Sequence, residues 1–162
     1  MNSFVAYIES PIGILEIKGN VTLVNSVLFV NNKGLESDDL PFNILECKRQ
    51  LREYFDGSRR IFTINAEQKG SPFQQIVWRQ LREIPYGKKI SYLQIAKQIA
   101  NEKIVRALGN ANGKNKIFIL IPCHRVVGTD GSLVGYAGEL WRKDWLLKHE
   151  ARFAFGMNSL FD

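Results

Sequence analysis

"S-Y-L-Q-I-A-K-Q-I-A-N-E-K-I-V-R-A-L-G-N-A" occupies residues 91–111, and its reading decides the architecture of the second half of the chain. Ser91 and Gln94 have the spacing of a capping box, in which the hydroxyl accepts from the third helical N–H and the glutamine side chain reaches back to the N–H of the cap. They start one short helix. After an abrupt turn, Asn101 has the side chain to cap a second one, so the stretch predicts a helix-turn-helix. The second helix carries Lys103 and Arg106 on a body of small residues, Ala107, Gly109 and Ala111, which let a backbone come close to another surface. Most short helix pairs are packing units, so charge must say whether this one binds anything.

The charge is unevenly divided. The chain carries a net +6, yet residues 1–68 hold 7 Lys+Arg against 9 Asp+Glu, while residues 69–162 hold 15 against 7. The basic surplus belongs to the half with the helix pair, which points to a polyanion, nucleic acid first. The other reading is a merely basic surface.

Upstream of the pair, "S-P-F-Q-Q-I-V-W-R-Q-L-R-E-I-P" (71–85) repeats the capping box with Ser71 and Gln74, sets Pro72 at the first helical position, and lines up Phe73, Ile76, Val77, Leu81 and Ile84 on one face. Still earlier, residues 4–9, 12–18 and 21–30 are rich in β-branched and aromatic residues separated by S-P and G-N turn signals, and they predict an antiparallel meander. Ile44, Cys47, Leu51, Tyr54 and Phe55 recur at helical spacing over 41–55, with Gly57 as the stop. "R-I-F-T-I" (60–64) reads as another strand or as an extended connector. The polar "N-A-E-Q-K-G" (65–70) that follows places a domain boundary between residues 1–68 and 69–162.

With 162 residues, 45% hydrophobic and 23% charged, the chain reads as globular and soluble. No apolar run approaches the ~18 residues of a membrane span, and the first residues lack the pattern of a signal peptide, so the expected compartment is the cytoplasm and no membrane partner is expected. Two cysteines, Cys47 and Cys123, are too few for a disulfide framework or a Cys-rich zinc site. There is no acid and histidine cluster with metal spacing and no phosphate-cradling glycine loop, so no metal and no cofactor are expected.

Cys47 falls on the apolar stripe of its helix and reads as a small core residue. Cys123 is different. It follows the polar run "G-N-A-N-G-K-N-K" (109–116) and "I-L-I-P" (119–122), which reads as a buried strand, and it precedes His124 and Arg125. A cysteine attacks as thiolate, and its free pKa near ~8.5 is lowered by a neighbouring base or cation. On an extended chain adjacent side chains point to opposite sides, so a bridging water would carry the proton from Cys123 to His124. An imidazole in that role needs one nitrogen free and the other held. Glu150, closing the helix of "W-R-K-D-W-L-L-K-H-E" (141–150), is one of few acids available as the holder, and Arg125 and the other cations nearby are expected to favour the thiolate. A structural cysteine beside a surface histidine remains the competing interpretation. His149, next to Glu150, suggests no second site.

"I-P-C-H-R-V-V-G-T-D-G-S-L-V-G-Y-A-G" (121–138), with "S-P-F-Q-Q-I-V-W", "I-P-Y-G-K-K-I-S-Y-L-Q-I-A" and "W-L-L-K-H-E", closely resembles the O6-alkylguanine-DNA alkyltransferases, the methylated-DNA–protein-cysteine methyltransferases. The resemblance covers almost all of residues 70–150 in order. Residues 1–68 share only the layout of strands and a helix. It implies an α+β chain with a ribonuclease H-like amino-terminal domain (a small antiparallel sheet with a helix) and a mostly helical, winged-helix-like DNA-binding domain. The implied activity is self-inactivating transfer of an alkyl group from O6-alkylguanine in double-stranded DNA, by a monomer. Cys123 matches the alkyl acceptor, His124 the water-bridged base, Glu150 the carboxylate that orients it, and Asn115 the amide that secures the turn. Tyr92 matches the tyrosine that protonates the leaving guanine. Arg106 matches the arginine that fills the space left by the flipped base, and Ser91, Tyr92, Lys103 and Ala107 fall with it on the implied DNA-contacting surface. Val126, Tyr136 and Ala137 match the wall of the base pocket.

Three positions depart from the family. Lys116 replaces a proline, which is expected to loosen the approach to the strand. Ala137 stands where some relatives have serine, leaving a backbone donor only, and Glu139 stands where glycine is common, adding charge at the pocket rim. Two other classes stay open: a Cys-His hydrolase of acyl substrates, and a DNA-binding module with a structural cysteine.

Overall fold

The computed structural model describes residues 2–155; Met1 and residues 156–162, the ends of the two expected domains, lie outside them. The chain forms two compact units, one running to Gln68 and including Lys116–Leu120, the other made of Lys69–Asn115 and the chain from Ile121 onward. Together they give a mixed α/β protein with a small three-stranded antiparallel sheet and, among the described residues, five α-helices.

In the first unit β1 (Phe4–Ser10), β2 (Gly13–Gly19) and β3 (Val24–Val30) pair as a meander in the order β1-β2-β3, with Ile8 opposite Leu15 and Ile17 opposite Val27. Leu15 and Ile17 are fully buried, and Lys18 between Ile17 and Gly19 is exposed, as the two-residue period of a one-sided sheet demands. The register slips at Gly19, where a side chain has no room: a Cβ there would lie 2.3 Å from the Leu23 carbonyl oxygen. Helix α1 (Phe42–Asp56) packs on all three strands. Its residues Ile44, Cys47, Leu51 and Tyr54, spaced three and four apart, have no exposed surface. Gly57 ends it in the left-handed conformation at φ 91°.

Residues 60–64 form no strand. Thr63 instead exchanges hydrogen bonds with the buried Gln50 side chain, at 2.7 and 2.9 Å, which makes the segment a connector pinned to α1. Segment 116–120 returns to the sheet as one isolated parallel bridge between Ile117 and Val27. The expected strand over 119–122 is therefore corrected to a buried turn. Ile119 has φ 74° and sits at the centre of a γ-turn closed by Leu120 N–H to the Phe118 carbonyl, 2.8 Å. Periodicity could not reveal this, because a short, wholly buried apolar run looks the same in a strand and in a turn. Lys116, where a looser approach was expected, is hydrogen-bonded at both its backbone groups. Its N–H donates to the Gln68 side chain at 2.8 Å and its carbonyl accepts from Val27 N–H at 2.8 Å; a proline could not make the first bond.

In the second unit α2 (Pro72–Arg82) and α3 (Tyr92–Ile99) both begin with complete capping boxes, Ser71–Gln74 and Ser91–Gln94. Asn101 caps a 3-10 turn, Glu102–Ile104, through Lys103 N–H, and this turn runs on into α4 (Val105–Gly113). The second helix, read as far as Ala111 with the polar run 109–116 leading on from it, thus extends to Gly113. Burial of Leu108, Ala111 and Asn112 in the packing of α4 on α2 and α3 overrides the poor propensity of its glycines and asparagines, and Trp78 Nε1 ties α2 to the Ala111 carbonyl at 2.9 Å. Helix α5 (Leu140–Phe155) passes through Glu150 rather than closing on it. Among the described residues no helix is long and apolar enough to cross a membrane.

Candidate active site

Two short strands bring the parts of the site together. β4 (Ile90–Ser91) pairs in parallel with β5 (Val126–Val127), Ile90 opposite Val126 and Ser91 opposite Val127. The start of α3, with Tyr92, is thereby fixed beside the turn that carries the cysteine. That turn is not extended chain. Pro122 forms an inverse γ-turn at φ −81° and ψ 62°, with Cys123 N–H donating to the Ile121 carbonyl, and Cys123–Arg125 make one 3-10 turn. The Ile121 carbonyl also accepts from Asn115 Nδ2 at 3.0 Å, so Asn115 holds the turn from within.

Cys123, His124, Arg125, Asn115 and Glu150 are all buried. Glu150 Oε2 lies 2.7 Å from His124 Nε2, and the carboxylate also accepts from Arg125 Nε at 2.8 Å, Arg125 Nη2 at 3.0 Å and Gly87 N–H at 3.2 Å. Gly87 can approach so closely because it has no side chain: at φ 80°, a Cβ would meet that of Ala154 at 2.5 Å. Arg125 Nη1 donates to the Ile84 carbonyl at 2.6 Å. The expected role of Arg125 is corrected accordingly: its charge is spent on Glu150 in a bidentate pair. Burial would raise the Glu150 carboxyl, but His124 and Arg125 outweigh it and hold the group well below the usual carboxylate range.

This arrangement decides the tautomer of His124. Burial pushes its pKa down, against the pull of Glu150, since Arg125 already answers the charge of the carboxylate. A neutral ring has one N–H, and a carboxylate can only accept, so the proton sits on Nε2 and Nδ1 keeps its lone pair. Nδ1 is buried and bonds to no described protein atom. It is a base with its basic atom uncommitted.

The thiol of Cys123 is pushed up to about 11 by burial, and a hydrogen bond from Asn115 and the charge of Lys143 pull it back only in part. It rests as a thiol. Lys143, which the sequence reading did not single out, is wholly buried on α5, donates to the carbonyls of Val134 and Gly135 at 2.8 and 3.0 Å, and is itself pushed down to about 8 by burial. It both staples the 128–138 loop and is the nearby cation, other than Arg125, whose charge favours the thiolate. The one legible signal was its place at the 3–4 spacing with Leu146 and Glu150 on the inner face of α5.

Tyr92 and Tyr136 stand near enough to Cys123 that, after burial, its charge adds to the upward shift of their phenols. Val126 is fully buried and Ala137 is exposed on the loop. Lys103, Arg106 and Ala107 are exposed on the helix pair, apart from this buried cluster. Glu139 adopts φ 79° and pairs with Arg142 at 3.2 Å and with Trp141 Nε1 at 3.0 Å, so its charge is partly answered by the first turn of α5, which follows it. Cys47 is pushed up to about 12 by burial, and His149 is buried, stacked on Trp145 at 4.7 Å. Neither contributes to the cluster.

The depressed pKa values of His124 and Glu150 give a pH dependence on the acid side. Between the folded and unfolded values the unfolded chain binds more protons, so stability falls on acidification, first below ~6.5 where unfolded histidine charges and again below ~4.3 where unfolded glutamate does. His124→Gln should remove the first limb from a denaturant-midpoint profile and leave the second; an unchanged first limb would mean that His124 titrates normally.

A family model described as the DNA-binding domain of 6-O-methylguanine DNA methyltransferase matches residues 72–152. A curated methylated-DNA–protein-cysteine methyltransferase of Methanosarcina acetivorans is 41% identical over 154 residues, covering 91% of this chain and 97% of that one. A crystal structure of the Mycobacterium tuberculosis O6-methylguanine methyltransferase is 37% identical with a TM-score of 0.84, covering 99% of this chain and all of that one. A Mycobacterium tuberculosis OGT structure in complex with DNA matches with a TM-score of 0.82 at 37% identity over 91% of this chain and 92% of that one.

Proposed function

Because the chain belongs to the methylated-DNA–protein-cysteine methyltransferase family, we propose that it repairs double-stranded DNA by flipping out O6-alkylguanine and moving the alkyl group to its own Cys123. The observation that carries this reading is the neutral His124, held at Nε2 by Glu150 and open at Nδ1, next to a buried thiol.

An alkyl group inside stacked DNA is out of reach, so the base is extruded, most easily where alkylation has already weakened its pairing. The helix pair supplies the surface, with Tyr92, Lys103, Arg106 and Ala107 facing the duplex, Arg106 filling the vacated space, and Ser91, which is buried, capping the helix that presents Tyr92. The base lies against Val126, Tyr136 and Ala137. A water passes the thiol proton to His124 Nδ1. The sulfur then forms its bond to the alkyl carbon as the carbon–O6 bond breaks, and the electron pair goes to guanine, which takes a proton from Tyr92. A thioether is no leaving group for water, so each molecule acts once. An acyl hydrolase would need a hole of donors for an oxyanion and would turn over; a binding module would leave the lesion in place. Incubation with excess O6-methylguanine duplex tests the proposal: one equivalent of lesion should disappear per protein and the reaction should stop, whereas continued loss would overturn it.

Within this reading the residues up to Gln68 form a ribonuclease H-like support and the remainder a winged-helix-like catalytic domain, acting as a monomer in the cytoplasm. Arg106 separates flipping from chemistry. Arg106→Ala should slow repair of duplex at saturating protein while sparing transfer from free O6-benzylguanine, which needs no extrusion. If it only clamps phosphate, affinity for all duplexes falls alike, the salt slope drops by about one counterion, and the saturated rate is unchanged.

A further inference from the structure

Asn112 is an anomaly of α4. It is 4% exposed at a packing position, yet only half of its amide is used: Nδ2 donates to Tyr92 Oη at 3.1 Å, and Oδ1 is buried without a bonding partner among the described residues. A buried acceptor left unmet is costly, so packing alone does not favour an asparagine here over a leucine of similar size. What the amide does is grip the phenol of Tyr92.

The surroundings of that phenol show what the grip achieves. Gly109, one turn before Asn112, lies beside the Tyr92 ring, where a Cβ would make ordinary contact at 3.9 Å, so α4 runs alongside the ring. The hydroxyl also lies close to the 128–138 loop, where a Cβ on Gly135 would be 3.9 Å from Oη. A phenol O–H lies in the plane of its ring and has two in-plane directions, one for its hydrogen and one for the hydrogen bond it accepts. Asn112 takes the accepting direction from the α4 side, which leaves the hydrogen in the other, away from α4.

We infer that Asn112 is a positioning residue for proton delivery, aiming the Tyr92 O–H at the leaving guanine by occupying the opposite side of its oxygen. This rests on the proposed transfer to Cys123 and adds to it. The donated bond also works against the burial that raises the Tyr92 phenol, and so eases release of the proton.

The test is a cycle of single-turnover rates for wild type, Asn112→Leu, Tyr92→Phe and the double variant, on O6-methylguanine duplex and on free O6-benzylguanine at saturation. In the wild-type background Asn112→Leu should lose about tenfold on both substrates, part of the ~100-fold a placed general acid supplies, and in the Tyr92→Phe background it should lose nothing more. Asn112→Asp keeps the shape but can only accept, so it should draw the phenol hydrogen to itself and be slow as well, which guards against a folding defect in the leucine variant. Equal losses from Asn112→Leu in both backgrounds would make Asn112 a packing residue and overturn the inference. A faster Asn112→Leu would also overturn it, because the amide would then be holding the phenol's proton. If Tyr92→Phe is as fast as wild type while Cys123 is still methylated, the inference fails and the transfer reading stands. If wild type leaves Cys123 unmodified, the transfer reading itself fails.

Discussion

Replacing Cys123 with serine should abolish alkyl transfer while leaving affinity for O6-methylguanine duplex close to that of the wild type. A hydroxyl is a far poorer nucleophile than a thiolate, and a weak buried base such as His124 cannot make up the difference. Serine fits a site where the thiol is 2% exposed and where the turn is held by backbone bonds and by Asn115 rather than by sulfur. In the proposed reading, binding rests on the exposed Lys103, Arg106 and Ala107 of the helix pair, which the substitution does not touch. Transfer is read by loss of lesion and binding by titration on the same duplex. Loss of both would show that Cys123 holds the fold together, and retained transfer would move the acceptor elsewhere.

The second large effect concerns Glu150. In Glu150→Ala the buried guanidinium of Arg125 loses both of its carboxylate bonds, His124 loses its holder, and the Gly87 N–H loses its acceptor. Breaking a buried pair from one side leaves an unanswered charge and costs about 3–5 kcal/mol, a large share of the ~5–15 kcal/mol that holds a domain folded. The denaturant midpoint should fall steeply. Glu150→Gln keeps the shape and one acceptor, so it should fold with a smaller loss, yet transfer slowly because the amide no longer favours the Nε2–H tautomer as strongly. An alanine variant with the midpoint of wild type would contradict the clamp described for Arg125, Glu150 and His124.

Local rules made much of this protein legible from its residues. Both capping boxes, the strands of the meander with their turn signals, the apolar stripe of α1 and the adjacency of Cys123 and His124 rest on patterns within a few residues, where sequence spacing and physical spacing are tied. What the spacing could not show depended on partners far along the chain. Arg125 turns to Glu150, 25 residues away, and Ile84, 41 residues away, so its charge was misassigned to the thiol. Lys143 was passed over because a lysine on a helix is ordinarily a solvated residue, and only the returning 128–138 loop buries it and gives it carbonyls to bond. The turn at Ile119 was read as a strand because the left-handed residue is a β-branched one, which local preference would never place there. Helix α4 outlasted its expected end because α2 and α3 cover it.

The claim on which the rest depends is that one particular sulfur takes the alkyl group. After reaction with O6-methylguanine duplex, digestion and peptide mass analysis should find one methyl on the peptide bearing Cys123 and none on the peptide bearing Cys47, whose thiol is fully buried in the first unit and pushed up to about 12. A methyl on Cys47, or repaired DNA with both cysteines unmodified, would contradict the account.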